Sequence, residues 1–195
     1  RPGQPFDPSK MSAAGAAAMK QVPKMGFEKI MASFSKTGVD ENGWQFTTKT
    51  GLYGTNYLDR ALITAIGLGA NRPQDAIYPT STADASGKPY DGANSYVLHF
   101  NKGQMPPAKG FWSLTMYDGE YFFVANPLNR YTLSSRSTFN TNPDGSVDLL
   151  IQAADPGPAK QANWLPAPKG KFILMLRLYW PSETNPSLLN GSWKI

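Results

Sequence analysis

The chain has 195 residues, 41% of them hydrophobic and 12% aromatic, which is enough for one sizeable core; its 18 glycines and 17 prolines mark it as loop-rich rather than disordered. With 19 Lys and Arg against 14 Asp and Glu the net charge is +5, but the basic residues are scattered singly and no RNP-like or helix-turn-helix pattern accompanies them. An anionic small molecule or an acidic surface fits that charge, and no nucleic-acid partner is expected. The absence of cysteine excludes disulfides, thiol nucleophiles and cysteine-ligated metals, and no apolar run approaches the roughly 20 residues of a membrane span, so a soluble domain is expected.

The opening Arg1-Pro2-Gly3-Gln4-Pro5 reads as an exposed linker without a signal peptide, as in a mature form or a piece of something longer. Asp7-Pro8 predicts a helix start, Ala-rich sequence continues it through Met19, and Pro23 is expected to stop it. A second helix is predicted over Met25 to Lys36, with Phe27, Ile30, Met31 and Phe34 on one face. After a short strand around Trp44 to Thr47, a third helix carries the stripe Leu58, Ala61, Leu62, Ala65 and Ile66, capped by Thr55 or Asn56 and stopped at Gly69. Residues 72–92 read as a long surface excursion with Ile77-Tyr78-Pro79 as a short extended piece.

From there the chain turns to β. Tyr96–Phe100 alternates, and so does Phe111–Tyr117, with Trp112, Leu114 and Met116 against Phe111, Ser113, Thr115 and Tyr117. Asp118-Gly119 then signals a hairpin with Tyr121–Ala125 as the partner strand. Asn142-Pro143-Asp144-Gly145 is a second turn, leading into Val147–Gln152, and 155–169 is a Pro-rich loop. Phe172–Trp180 is apolar on both faces, which predicts a central strand with Arg177 partly enclosed. The sum is an α+β fold: an antiparallel β-sandwich or jelly-roll-like domain over 51–195, with an N-terminal helical segment and linker over 1–50 packed on it.

The series GLYGTNYLDRA, GLGANRPQDAIYP, PPAKGFWSLTMYD, NPLNRYTLSSR, NPDGSVDLLIQ, NWLPAPKGKFILMLRLYWP and NGSWK resembles the bacterial family known as domain of unknown function 1214, over about three quarters of the chain from Gly51 to Lys194. The resemblance implies a β-rich fold, an N-terminal partner domain of unknown function 1254, and precursors that carry export signals, hence a periplasmic or secreted location. It implies no reaction.

A metal centre has only His99 to build on, and elbow, phosphate-loop and dinucleotide motifs are missing, so neither metal nor cofactor is expected. Ser33-Phe34-Ser35-Lys36 fits a Ser-x-x-Lys spacing but lacks the companion motifs. What remains is a constellation of arginines and aromatics. Arginine near a core needs a carboxylate, carbonyls or an anionic ligand for its five donors. One outcome is internal bracing, with Arg130 and Arg136 tied to acids or loop carbonyls. Another is a pocket that binds a small anionic or polyhydroxylated molecule, lined by Tyr57, Arg60, Trp112, Tyr117, Asn126, Arg130, Tyr131 and Arg177. Two further readings stand beside it. One is a metal-independent hydrolase or lyase with Tyr117, Tyr131 or His99 as general base; the other is an assembly module whose helical third docks on a partner domain or a second copy.

Overall fold

A computed structural model describes residues 3, 5–34 and 38–195. Two compact units emerge: the described residues of Arg1–Thr37 with Tyr53–Ala70, and Gly38–Leu52 with Asn71–Ile195.

The first unit is helical. Asp7 accepts from the Ser9 amide, so the predicted start at Asp7-Pro8 gives only a 3-10 turn, Pro8–Lys10. Ser12 then caps helix α1, Ala13–Ala32, through the Gly15 amide. The predicted break is absent: Pro23 lies inside α1, and the expected two helices are one. Proline removes one helical hydrogen bond, and good helix formers on both sides carry the helix through it. Ser35 and Lys36, the expected end of the second helix and half of the Ser-x-x-Lys spacing, lie outside the described residues, as do Arg1, Pro2 and Gln4 of the linker. Helix α2, Tyr57–Gly67, is capped by the Asn56 side chain on the Asp59 amide, as predicted. Of its predicted stripe, Leu62 is buried.

The second unit holds ten strands: β1 (Val39–Glu41), β2 (Trp44–Phe46), β3 (Ala76–Ile77), β4 (Thr80–Ser81), β5 (Tyr96–Phe100), β6 (Ala108–Asp118), β7 (Thr132–Ser134), β8 (Val147–Gln152), β9 (Trp164–Pro166) and β10 (Phe172–Pro181). The larger sheet runs β1-β2-β4-β10-β6-β7, with β3 also on β10; the smaller runs β5-β8-β9. All pairs are antiparallel except β8 with β9. The fold is α+β with mostly antiparallel sheets, as predicted. Strand β10 is central, flanked by β6 on one side and β3 and β4 on the other.

Period-two alternation sorts the faces. Inward go Phe172, Leu174, Leu176 and Leu178 of β10 and Trp112, Leu114 and Met116 of β6; with Phe100, Leu149, Ile151 and Leu165 of the smaller sheet they form one core. Outward, the register lines up Gln45, Thr80, Met175, Thr115 and Thr132 in one row across five strands.

Three expectations change. The Asp118-Gly119 turn exists, its carboxylate accepting from the amides of Glu120 and Phe122, but Tyr121–Ala125 forms no strand and only Phe123 bridges back to Tyr117. With Asp118 holding two amides and Tyr121 at positive φ, the chain leaves the ladder at once, and β7 takes the place beside β6. Strict alternation from Phe172 groups Trp180 with Leu174, Leu176 and Leu178, yet it is 57% exposed with φ 50° at a register shift between Tyr179 and Pro181. A bulge there rotates the next side chain outward. The Pro-rich loop contains a strand, β9, parallel to β8.

Candidate functional site

Arg177 stands on the outward face of β10, opposite Ser113 of β6, and is half-buried. Its Nη1 donates to Thr115 Oγ1 at 2.8 Å and its Nη2 to the Tyr117 hydroxyl at 2.6 Å. Among the described residues no carboxylate pairs with it. The guanidinium also lies 5.5 Å from the Tyr117 ring centroid, and Phe123 stacks on that ring at 5.4 Å. Tyr131 closes the column, 5.2 Å from Phe123.

A second column rises at the other end of the β6 row. Phe111 and Tyr179, paired across β6 and β10, stack at 4.6 Å, and the Arg136 guanidinium lies 5.0 Å from the Phe111 centroid. Tyr78 meets Tyr179 edge-on, and its hydroxyl accepts from Asn71 Nδ2 at 2.7 Å. Arg136 likewise has no carboxylate partner among the described residues. Ser113 lies between the columns, and its hydroxyl has no hydrogen-bond partner among them. Beside it sits Ser134, whose hydroxyl oxygen accepts from the Arg136 amide.

The remaining candidates are placed elsewhere. Arg130 is a brace: its Nη1 donates to the carbonyls of Gln161 and, at 3.0 Å, Trp164. Those are backbone carbonyls of a 3-10 turn, Gln161–Asn163, and of β9, and among the described residues no acid pairs with Arg130. Asn126 spends its amide locally, accepting from Leu128 and Arg130 amides and donating to the Val124 and Arg130 carbonyls. Trp112 is 3% exposed and faces the core against Phe100 and Phe139, on the side opposite Arg177. Tyr57 and Arg60 belong to the helical unit, where Arg60 donates to the Gly54 carbonyl and covers the exposed Tyr57 ring at 5.5 Å.

His99 is on the smaller sheet, directly opposite Asp148. Its Nδ1 meets Asp148 Oδ1 at 2.6 Å and its Nε2 meets Asn101 Oδ1 at 3.3 Å. The hydrogen bond with Asp148, seconded by Asn101, raises the His99 pKa. The same bond with His99, with help from Asn142, lowers the Asp148 pKa. Among the described residues no hydroxyl bonds to His99 Nε2, which meets Asn101 instead. Among the described residues no cluster of three or more His, Asp or Glu could hold a metal, and no helix is long and apolar enough to cross a membrane.

The strand that carries Thr115 and Tyr117, the β7 segment and the whole of β10 fall inside residues 75–183, which match the family model described as Protein of unknown function (DUF1214). The chain belongs to this family. The DUF1214 match contains Tyr117, Arg136 and Arg177, whereas Tyr57 and Arg60 precede it. No curated protein matches the chain. Among solved structures it is similar to the VPA0106 protein from Vibrio parahaemolyticus, at 25% identity and TM-score 0.68 over 98% of this chain. An uncharacterised protein from Burkholderia cenocepacia gives 16% identity and TM-score 0.39 over 94% of it. The chain spans 45% of the Vibrio protein's length and 41% of the Burkholderia protein's. In the DUF1214 sequence, alternation along β6 puts Ser113 on the face of Tyr117, whereas Ser134 carries no such mark, because a three-residue strand such as β7 leaves no alternation to detect.

Proposed function

We propose that this DUF1214 chain binds a small anionic or polyhydroxylated molecule on the outward face of its larger sheet, with Arg177 as the anchor and Tyr117 beside it. One observation carries the reading: Arg177 is half-buried on the central strand, yet only two hydroxyls accept from it among the described residues. A guanidinium withdrawn from bulk water without a carboxylate is undercompensated, and an anion at its unused donors restores the balance. Thr115 and Tyr117 fix its orientation in advance, which lowers the ordering cost of binding. Calorimetric titration with galacturonate, benzoate and phenyl phosphate tests this. Binding of at least one of them, weakened about tenfold by Arg177→Gln, is the expected result, since a charge-assisted hydrogen bond contributes about 1.5 to 3 kcal/mol. Absence of binding by all three, or indifference to the substitution, overturns it.

The exposed apolar side chains of α1 favour a second reading, a homo-oligomer joined through that helix. Met19, Val22, Met25, Phe27 and Met31 are all exposed and α1 buries none of its residues. Light scattering decides: a dimer that dissociates on Phe27→Lys supports it, and a monomer at high concentration removes it.

A further inference from the structure

The two arginine columns are separate, and their separation carries information about ligand length. Arg136 sits over Phe111 and Arg177 bonds Thr115, four residues apart on one face of one strand, which is about 13 Å along a β-strand. Between them lie the Ser113 and Ser134 hydroxyls, paired across β6 and β7. No acid pairs with either arginine among the described residues. The row therefore reads as cation, hydroxyls, cation. Two of its aromatic rings already have partners: Phe111 lies against Arg136 and Tyr179, and Tyr117 against Arg177 and Phe123. A nucleobase stacking on those rings would compete with these contacts, which disfavours the usual mode of single-stranded nucleic-acid binding. What the surface offers is guanidinium donors at two ends and hydroxyl donors and acceptors in the middle.

Resting on the reading above, we infer that the ligand is an acidic oligosaccharide laid along β6, with one anionic sugar at Arg177, another at Arg136, and the hydroxyls of the intervening unit at Ser113 and Ser134. A chain of sugars supplies this alternation of carboxylate or sulfate with hydroxyl at the required length. An acidic peptide of equal length supplies the charges but not the hydroxyls, and the net charge of +5 favours approach of either polyanion. Each arginine is one subsite, so a ligand that reaches both gains from effective concentration.

The test is a calorimetric comparison of galacturonate, tri-galacturonate, maltotriose, a tri-glutamate peptide and a short oligothymidylate on the 195-residue chain. Tri-galacturonate is expected to bind at least about tenfold more tightly than galacturonate, and more tightly than the other three. Arg136→Gln removes that length advantage, so that the variant binds the trimer no more tightly than it binds galacturonate. Ser113→Ala, which deletes a hydroxyl without a hydrogen-bond partner among the described residues, weakens the trimer and serves if Arg136→Gln lowers stability. Equal affinity of monomer and trimer, tri-glutamate or oligothymidylate binding as tightly as the uronate trimer, or a trimer indifferent to both substitutions overturns the inference. If galacturonate still binds through Arg177 in those cases, the small-ligand reading stands; if nothing binds, both fall.

Discussion

Four arginines look alike in the sequence, and their partners separate them. Arg130 meets two backbone carbonyls and Arg60 one, whereas Arg177 and Arg136 meet hydroxyls or a ring. Arg130→Met, which keeps the stem and removes the donors, is therefore expected to lower stability by about 2 kcal/mol in urea unfolding, from the loss of charge-assisted bonds to carbonyls. Arg136→Gln should change it by less than about 0.5 kcal/mol, as for an exposed side chain outside any network. These roles were illegible in the sequence, because Arg130's acceptors are backbone atoms more than thirty positions away, and no side-chain pattern encodes a carbonyl. Arg177's place was legible from the alternation around it. The His99–Asp148 pair makes a pH prediction. His99 has a folded pKa above its ordinary 6.5, so its contribution is full below 6.5 and fades as pH rises through the folded value. Asp148 has a folded pKa below 3.8, so its contribution holds above 3.8 and fades as pH falls through that lowered value. The stability advantage of the parent chain over His99→Asn should accordingly shrink on both sides of this window, as measured by thermal unfolding across pH; a flat difference contradicts the pairing.

At the level of elements, the long strands were readable and most of the short ones were not. Strands β5 and β10 showed alternation over enough residues to fix both face and position. Strand β2 falls on the expected strand around Trp44 to Thr47, but its partner β1 escaped although Asn42 and Gly43, both at positive φ, form the turn between them, and β7 and β9 have three residues each. Trp180 was misplaced for a different reason: a bulge shifts the phase of alternation by one, and sequence alternation assumes the phase is kept. Close backbone approach sets another constraint. A Cβ at Gly92 would lie 1.6 Å from the Pro168 carbonyl oxygen, while the Gly92 amide donates to Gly170. Gly92→Ala is expected to cost about 3 kcal/mol, read as a lowered urea midpoint. Inside α1, Pro23→Ala should raise helicity by circular dichroism and stabilise the helix by up to about 3 kcal/mol.

For the molecule as a whole, the two sheets of the β unit bury their inner faces in a common core, and the row Gln45, Thr80, Met175, Thr115 and Thr132 lies on the other face of the larger sheet. Membership of DUF1214 assigns no reaction to that face, so its residues have to speak for it. They place a half-buried arginine, oriented by Thr115 and Tyr117, at the centre of the sheet, with no acid paired to it among the described residues. The most direct measurement is amide chemical-shift mapping by NMR during titration with galacturonate. Saturable shifts clustered on 113–117, 132–136 and 175–179 are expected, with saturation moved to about tenfold higher galacturonate by Arg177→Gln. Shifts confined to the helical unit, or spread without a cluster and unchanged in the variant, would contradict the proposed site.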